Sequence, residues 1–203
     1  MKLHSFFRLA AAYLFLCTVP LQASFAAGFH YQLDLTAKLV NSPQGELTAI
    51  QMSWVYDKEL STILMDGEDL SEAKKEETLK KRSADILKGL SEVKFFTKVL
   101  LGETALPFLD VEIYTLRLNK ESRLQMNLTL PLKNKQQLKD HILKIILTDD
   151  SAVGLVTFVD TSHMLLSDQF KAMCKKPTLL QKKLAEIDGH AQIAETMTID
   201  CTA

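Results

Sequence analysis

The feature that most constrains the fold of this chain is a strict alternation of apolar and polar residues over positions 29–39, FHYQLDLTAKL. A repeat of two residues is the periodicity of a β-strand with one buried face, so this segment predicts a strand. His30 then lies on the polar face, away from the core. The turn-like sequence NSPQGE follows, and residues 50–56 alternate again, which predicts an antiparallel partner strand.

Strand-like patterns recur along the chain. The segments 109–118 and 124–132 flank the turn sequence NKES and predict a second hairpin. Because strands are not regularly alternated with helices, we expect an α+β fold. It would be mainly antiparallel β-sheet, with a long charged helix inserted after the first hairpin and a second helical segment near the C-terminus. The other β-rich segments are 93–101, 141–149, 154–160 and 196–200.

Two segments favour helices, of which the first is long. Most of the charged stretch 66–90 is expected to be helical, because residues 69–72, DLSE, resemble a capping box and Gly89 suits a helix end. In residues 167–187 the composition again favours helix, with a break expected at Pro177.

The N-terminus carries the pattern of a secretory signal peptide. Lys2 and Arg8 precede an apolar run at residues 9–21, and small residues follow it. We therefore expect a cleaved signal peptide at residues 1–26, a single α+β domain at residues 27–203 and a periplasmic location. The alternative is an uncleaved anchor helix, for which the apolar run is short. No later run reaches membrane-spanning length, so we expect no membrane span after cleavage.

The charge balance argues against one class of partner. The chain has 24 basic and 25 acidic residues, and the expected signal peptide removes only basic ones. General nucleic-acid binding depends on a basic face. We therefore expect no nucleic-acid partner.

Cysteine usage predicts a disulfide. Of the three cysteines, Cys17 lies in the expected signal peptide, which leaves Cys174 and Cys201 as a pair. An even number of cysteines in an oxidising compartment favours a bond between them. Its closure would stabilise the fold by roughly 3 kcal/mol through chain entropy. A free thiol or a metal thiolate pair is the alternative, although the CxxC spacing common in zinc sites is absent.

The sequence lacks the short motifs of common catalytic sites. It contains no G-x-S-x-G, no G-x-x-x-x-G-K, no G-x-G-x-x-G and no H-E-x-x-H. We therefore expect that the protein is not an enzyme. Asp149, Asp150 and Asp160 end strand-like segments and are expected to be solvated loop carboxylates.

His30 is the candidate metal ligand because of its place near the expected new N-terminus. If cleavage left Gly28 first, the amine, two backbone amides and the imidazole could surround copper(II) or nickel(II) in a tetragonal plane. The preferred cleavage, after Ala26, adds one residue and removes that spacing.

Other donors near His30 would then be needed. Gln32 shares its strand face, and Asp57 could face it across the strand pair if the register permits. Asp34 lies about 13 Å along the strand from His30, too far to share an ion. The remaining histidines, expected to be surface or partly buried structural residues, are His141, His163 and His190.

The stretch from residue 29 to residue 64 resembles the opening of a bacterial family of unknown function, number 1007. Its members are often labelled the periplasmic component of an uncharacterised ABC-type transport system. They typically begin with His-Pro-His after the signal and reach Trp-x-Phe-Asp ahead of a helix. Residues 54–57, WVYD, match the second motif, and His30 falls on the second histidine of the first. Gly28 and Phe29 replace the first His and the Pro.

The resemblance implies an exported accessory protein of a transport system. Such a protein would handle a divalent metal ion, zinc, nickel or copper, for an inner-membrane permease, with His30 as a ligand and Gln32 or Asp57 beside it. The alternative is an envelope protein–protein interaction module with no small-molecule ligand, binding through a sheet edge or the charged helix.

Overall fold

The computed structural model describes residues 29–202, which form two β-sheets and three α-helices. The expected signal peptide at residues 1–26 lies outside the described residues. The helices are α1 (Lys58–Leu64), α2 (Lys75–Glu92) and α3 (Asp168–Met173). The strands are β1 (Tyr31–Asn41), β2 (Leu47–Tyr56), β3 (Thr97–Leu101), β4 (Thr104–Ala105), β5 (Tyr114–Leu118), β6 (Leu124–Gln136), β7 (Ile142–Thr148), β8 (Gly154–Thr157), β9 (Met164–Leu165), β10 (Thr178–Ile187) and β11 (His190–Asp200).

The strands pair mainly antiparallel. The first sheet has the order β5-β6-β2-β1-β8, with β9 also pairing with β1, and the second has the order β10-β11-β7-β3-β4. Only the pairings of β1 with β8 and β9 are parallel among the described strands. The expected α+β class is therefore confirmed, as are the first hairpin, formed by β1 and β2, and the long charged helix after it.

Alternation along the strands builds one apolar core between the sheets. Residues that are paired across neighbouring strands point to the same face of the sheet. The apolar residues of adjacent strands therefore form rows on the face that covers the core. A single cluster of buried apolar side chains contains residues of both sheets and of α2. One row of the first sheet is Leu35–Trp54–Met126–Leu116, and one row of the second is Val99–Ile145–Met197.

Helix α2 begins later and ends later than the sequence predicts. Asp69 accepts a hydrogen bond from the Ser71 N–H at 2.9 Å, which forms a local turn before the helix, and Lys74 at the actual start gives no side-chain cap. The helix continues through Gly89 because Leu90 is buried against the core. The predicted capping box and stop are therefore wrong. None of the helices within residues 29–202 combines the length and apolar character needed to cross a bilayer.

The segment after Pro177 is a strand rather than a helix. Helix α3 ends at Met173, and β10 then pairs with β11 as a hairpin closed by Asp188 and Gly189. Gly189 has φ 83°, a conformation that glycine adopts without steric cost. The helical expectation for 178–187 is wrong because backbone pairing with β11 overrides the helix propensity of its Lys, Leu, Ala and Glu residues.

Candidate functional site

Two histidines from opposite ends of the chain lie in contact. His30 precedes β1, and its backbone N–H donates to the carbonyl of Val153 at 2.8 Å, which places it beside the start of β8. His190 is the first residue of β11, directly after the hairpin turn. Their ring centroids are 5.2 Å apart, and the ring planes meet at 61°. The fold therefore pairs an exposed imidazole with a second, half-buried one.

The separation of the two rings is compatible with a shared metal ion. Two imidazoles on one tetrahedral zinc place their ring centroids about 5 Å apart, because each Zn–N bond is about 2.0–2.1 Å long. Within residues 29–202, no group of three or more His, Cys, Asp or Glu side chains is arranged to hold a metal. The pair thus offers two donors and leaves the other coordination positions to water or to groups from another molecule.

Gln32 and Asp57 lie with His30 around one depression of about 290 Å³, which Glu59 also lines. Both oxygens of Asp57 already accept backbone hydrogen bonds, from Gln32 N–H at 2.6 Å and from Leu60 N–H at 2.7 Å. Asp57 therefore caps α1 and ties it to β1, although each carboxylate oxygen keeps a second acceptor position. The predicted cross-strand neighbourhood of His30 and Asp57 is present.

The side chains next along β1 are held by other partners. The Gln32 amide donates to Oδ1 of Asp34 at 2.7 Å. Oδ2 of Asp34 forms an ion pair with Arg123 at 3.0 Å, and Arg123 also donates to the carbonyl of Tyr56 at 2.6 Å. This network joins β1, the end of β2 and the residue that precedes β6. Asp34 is occupied by Arg123, so its role here is structural.

Asp149 is buried, with only 4% of its surface exposed, and the expectation of a solvated loop carboxylate is wrong for it. Its Oδ2 accepts from the Tyr31 hydroxyl at 2.7 Å and from Gly154 N–H at 2.8 Å, while its Oδ1 accepts from Ser151. Burial acts to raise its pKa, but the hydrogen bonds from Ser151, Tyr31 and Gly154 outweigh burial and hold the pKa below its usual range.

Tyr31 connects the Asp149 network to the histidine pair, because it bonds Asp149 and directly follows His30 in the chain. Burial, and then its hydrogen bond to Asp149, raise the pKa of the Tyr31 hydroxyl far above its usual value, so it stays protonated as a donor. Its ring packs so closely over Gly154 that a Cβ there would collide with the ring. The Tyr31–Asp149–Gly154 contact therefore fixes the start of β1, and with it His30.

The other two described histidines lie in different surroundings. Nδ1 of His163 is 3.2 Å from Oδ1 of Asp160 in a single helical turn that Asp160 caps. Hydrogen bonds from Ser162 and His163 lower the pKa of Asp160. His141 is exposed, and its backbone carbonyl accepts from Cys201 N–H. Both fit the expectation of structural or surface histidines.

Cys174 and Cys201 form a disulfide, with sulfur atoms 2.05 Å apart. The predicted bond is confirmed, and the alternatives of a free thiol or a thiolate pair are wrong. The bond links the end of α3 to the end of β11. The four-nitrogen site that would begin at Gly28 lies outside the described residues.

Two important residues could not be identified from the sequence. His190 carries no spacing relative to His30 that suggests a common site, since the contact depends on how the β10–β11 hairpin docks. Glu195 is 4% exposed in β11, where its carboxylate accepts from the Thr157 hydroxyl at 2.8 Å and the Phe158 N–H at 2.7 Å. It thereby joins the second sheet to the end of β8 in the first sheet. The hydrogen bonds from Thr157 and Phe158 compensate for the burial of its charge.

The comparisons with known proteins agree with the resemblance noted from the sequence. A family model described as "Protein of unknown function (DUF1007)" matches residues 12–201. The comparison with curated proteins finds no match. The matched range contains both histidines, the buried Asp149 network and the disulfide.

Proposed function

This chain belongs to the DUF1007 family of proteins of unknown function, and from that premise we propose that it is an exported accessory protein that handles a divalent metal ion for an inner-membrane permease. The metal, zinc, nickel or copper, is cargo rather than a resident cofactor. His30 and His190 supply its first two donors. The observation that carries this proposal is the contact between their imidazole rings, with centroids 5.2 Å apart.

The chemistry of the pair suits this class of cargo. Neutral imidazole is a good ligand for zinc, nickel and copper, while carboxylates and carbonyls are preferred by magnesium and calcium. Two protein donors leave open positions, which lets a carrier pass its ion to another set of ligands. Because a bound imidazole must be deprotonated, binding should weaken as the pH becomes acidic.

The periplasmic part of the proposal has separate support. Disulfides persist in oxidising compartments such as the bacterial periplasm and are rare in the cytosol. The Cys174–Cys201 bond is therefore consistent with an oxidising compartment such as the periplasm. The basic and apolar N-terminal pattern, which lies outside the described residues, predicts export.

Thermal unfolding with added metal tests the proposal. A ligand that binds only the folded state stabilises it by about 2.7 kcal/mol at a hundred times its Kd. We expect zinc, nickel or copper to raise the Tm of the exported protein. The rise should disappear in His30→Ala and in His190→Ala, but persist in His141→Ala, which removes an exposed histidine elsewhere. An absent rise, or an equal rise in all four proteins, would rule the histidine pair out.

One feature favours the alternative of an interaction module. Strand β10 is a ten-residue edge strand whose side chains are mostly exposed, with Leu180 65% and Leu184 50% exposed. An open edge can accept an extended segment of another envelope protein as an added strand. Lys182 and Lys183 on the same strand argue against this alternative, because lysines on an edge strand discourage the pairing of another strand.

Cross-linking separates the two functions. In the interaction reading, a cross-link from β10 to an envelope partner forms with chelator present and in His30→Ala, and is lost in Leu180→Asp. In the metal reading, the association with the permease requires metal and both histidines. Neither reading assigns a catalytic reaction to the protein.

A further inference from the structure

A cleft of about 580 Å³ lies between helix α2 and the segment 105–111. This segment crosses from the second sheet to the first: Leu106 N–H donates to Val99 O at 2.9 Å, and Leu109 N–H donates to Pro131 O at 2.8 Å. The crossing segment therefore closes one end of the space between the sheets. Neither His30 nor His190 lines this cleft, so it is separate from the histidine pair.

The inside of the cleft is mainly apolar. Its buried part is formed by Val99 and Leu106, which belong to the core, and by Thr97, whose hydroxyl is bonded to the backbone. Four half-buried side chains that pack against that core also line the cleft: Leu87, Phe95, Phe108 and Val111. A concave apolar surface of this size lies in the range of about 300–1,000 Å³ typical of small-ligand sites. A ligand that fills it would bury an apolar chain or ring system.

The rim of the cleft is basic. Lys88, Lys94 and Lys98 line it and are exposed, against a single carboxylate, Asp110. In the part of the chain that the structure describes, none of the three lysine ammonium groups forms an ion pair. The lysines come from α2, from the turn after it and from β3, so the positive charge lies on the wall opposite segment 105–111, which contributes Asp110. An anionic group at the mouth would meet unneutralised cations.

The wall of the cleft contains an unusual backbone conformation. Lys94, Phe95 and Phe96 are consecutive non-glycine residues with φ of 51°, 56° and 47°. L-amino acids rarely adopt this left-handed region, and a run of it persists where surrounding structure holds it, often at ligand sites. The run lets Phe95 line the cleft while Phe96 contacts Trp54 edge-on in the core. The Thr97 hydroxyl donates to Phe95 O at 2.6 Å and supports the turn.

We propose that this cleft binds an amphiphile with a single anionic head group and an apolar chain, of the class of medium-chain carboxylates. The chain lies along the apolar lining, and the carboxylate meets the lysines of the rim. This binding activity does not depend on the metal site. It gives the protein a second ligand, and the charge of the rim sets its preference for an anion.

Calorimetric titration of the exported protein with sodium decanoate tests the proposal. We expect binding of one decanoate per chain. Decanol and decyltrimethylammonium carry the same chain length with no charge and with a positive charge, and we expect each to bind at least about tenfold more weakly, because charge-assisted contacts to the lysines are lost. The Lys88→Gln/Lys98→Gln double variant should reduce decanoate affinity by about tenfold.

Two further variants separate the cleft from general surface effects. Ala84→Trp places a large side chain from the exposed side of α2 into the cleft, so it should abolish decanoate binding without disturbing the core. The Lys80→Gln/Lys81→Gln variant removes two exposed charges of the same helix outside the cleft and should bind decanoate like the wild type. No binding of decanoate, equal affinity for the three amphiphiles, or binding that survives Ala84→Trp would overturn the proposal.

Discussion

The carboxylate of Asp149 shows how one buried residue positions the candidate site. Four hydrogen bonds converge on its two oxygens, and one of them comes from Tyr31, the neighbour of His30. In Asp149→Asn, the amide nitrogen would face donors such as Gly154 N–H, which leaves buried groups without acceptors. We expect a loss of about 1–3 kcal/mol in the free energy of unfolding, measured by urea denaturation at neutral pH.

The same residue predicts a pH dependence. Since the pKa of Asp149 is lowered in the folded protein from its ordinary value of 3.8, its contribution is fully present above that value. The contribution is lost as the pH falls through the lower folded pKa. The stability difference between wild type and Asp149→Asn should therefore shrink below about pH 4. Asp150→Asn, which changes an exposed neighbour, should stay close to the wild type throughout. An equal loss in the two variants would contradict this account.

Among the elements, helix α2 can be tested at Gly89, which the sequence predicted to end the helix but which lies inside it. Gly89 lies inside the helix, has no positive φ, and a Cβ added there would meet no atom within 4 Å outside the surrounding turns of its own helix. Glycine costs about 0.5–1 kcal/mol relative to alanine in such a position. Gly89→Ala should raise the free energy of unfolding by about that amount. A Gly154→Ala variant, where the Tyr31 ring occupies the space, should lower it instead. If Gly89→Ala destabilises the protein, the helix ends where the sequence predicted.

The disulfide is the second element-scale test, because it ties α3 to the end of β11. The two cysteines are 27 residues apart in the chain. Chain entropy gives about 3 kcal/mol for a loop of this order. Cys174→Ser/Cys201→Ser should lose stability by that amount in urea, and reductant should lower the stability of the wild type but not of the double variant. A wild type that reductant leaves unchanged would show that the bond carries no stability.

The elements also show where sequence periodicity is informative. Strands β1, β2 and β6 bury one face, so a two-residue repeat was visible and their existence was predictable. Strand β10 exposes most of its side chains, so it carries no such repeat, and its Lys-, Leu- and Glu-rich composition suggested a helix. The start of α2 was misplaced because Asp69 forms a local turn, which competes with a helix cap in any Asp-containing loop.

In the whole molecule, the features that the sequence could not predict are those that depend on contacts between residues far apart in the chain. The alternation placed His30 on an exposed face, and the strand register brought Gln32 and Asp57 beside it. The contact with His190 required the β10–β11 hairpin to fold back toward the start of β1. The burial of Glu195 required the two sheets to meet at the end of β8. Neither event leaves a local pattern in the sequence.

Metal binding by the histidine pair can be measured in the native mass spectrum of the protein, exported and purified without chelator. We expect a chain that begins at Ala27, contains the disulfide and carries one zinc, nickel or copper ion. The ion should be absent from His30→Ala and His190→Ala and retained by His141→Ala. A wild-type protein free of metal, or an ion that remains in both variants, would contradict the metal-handling proposal.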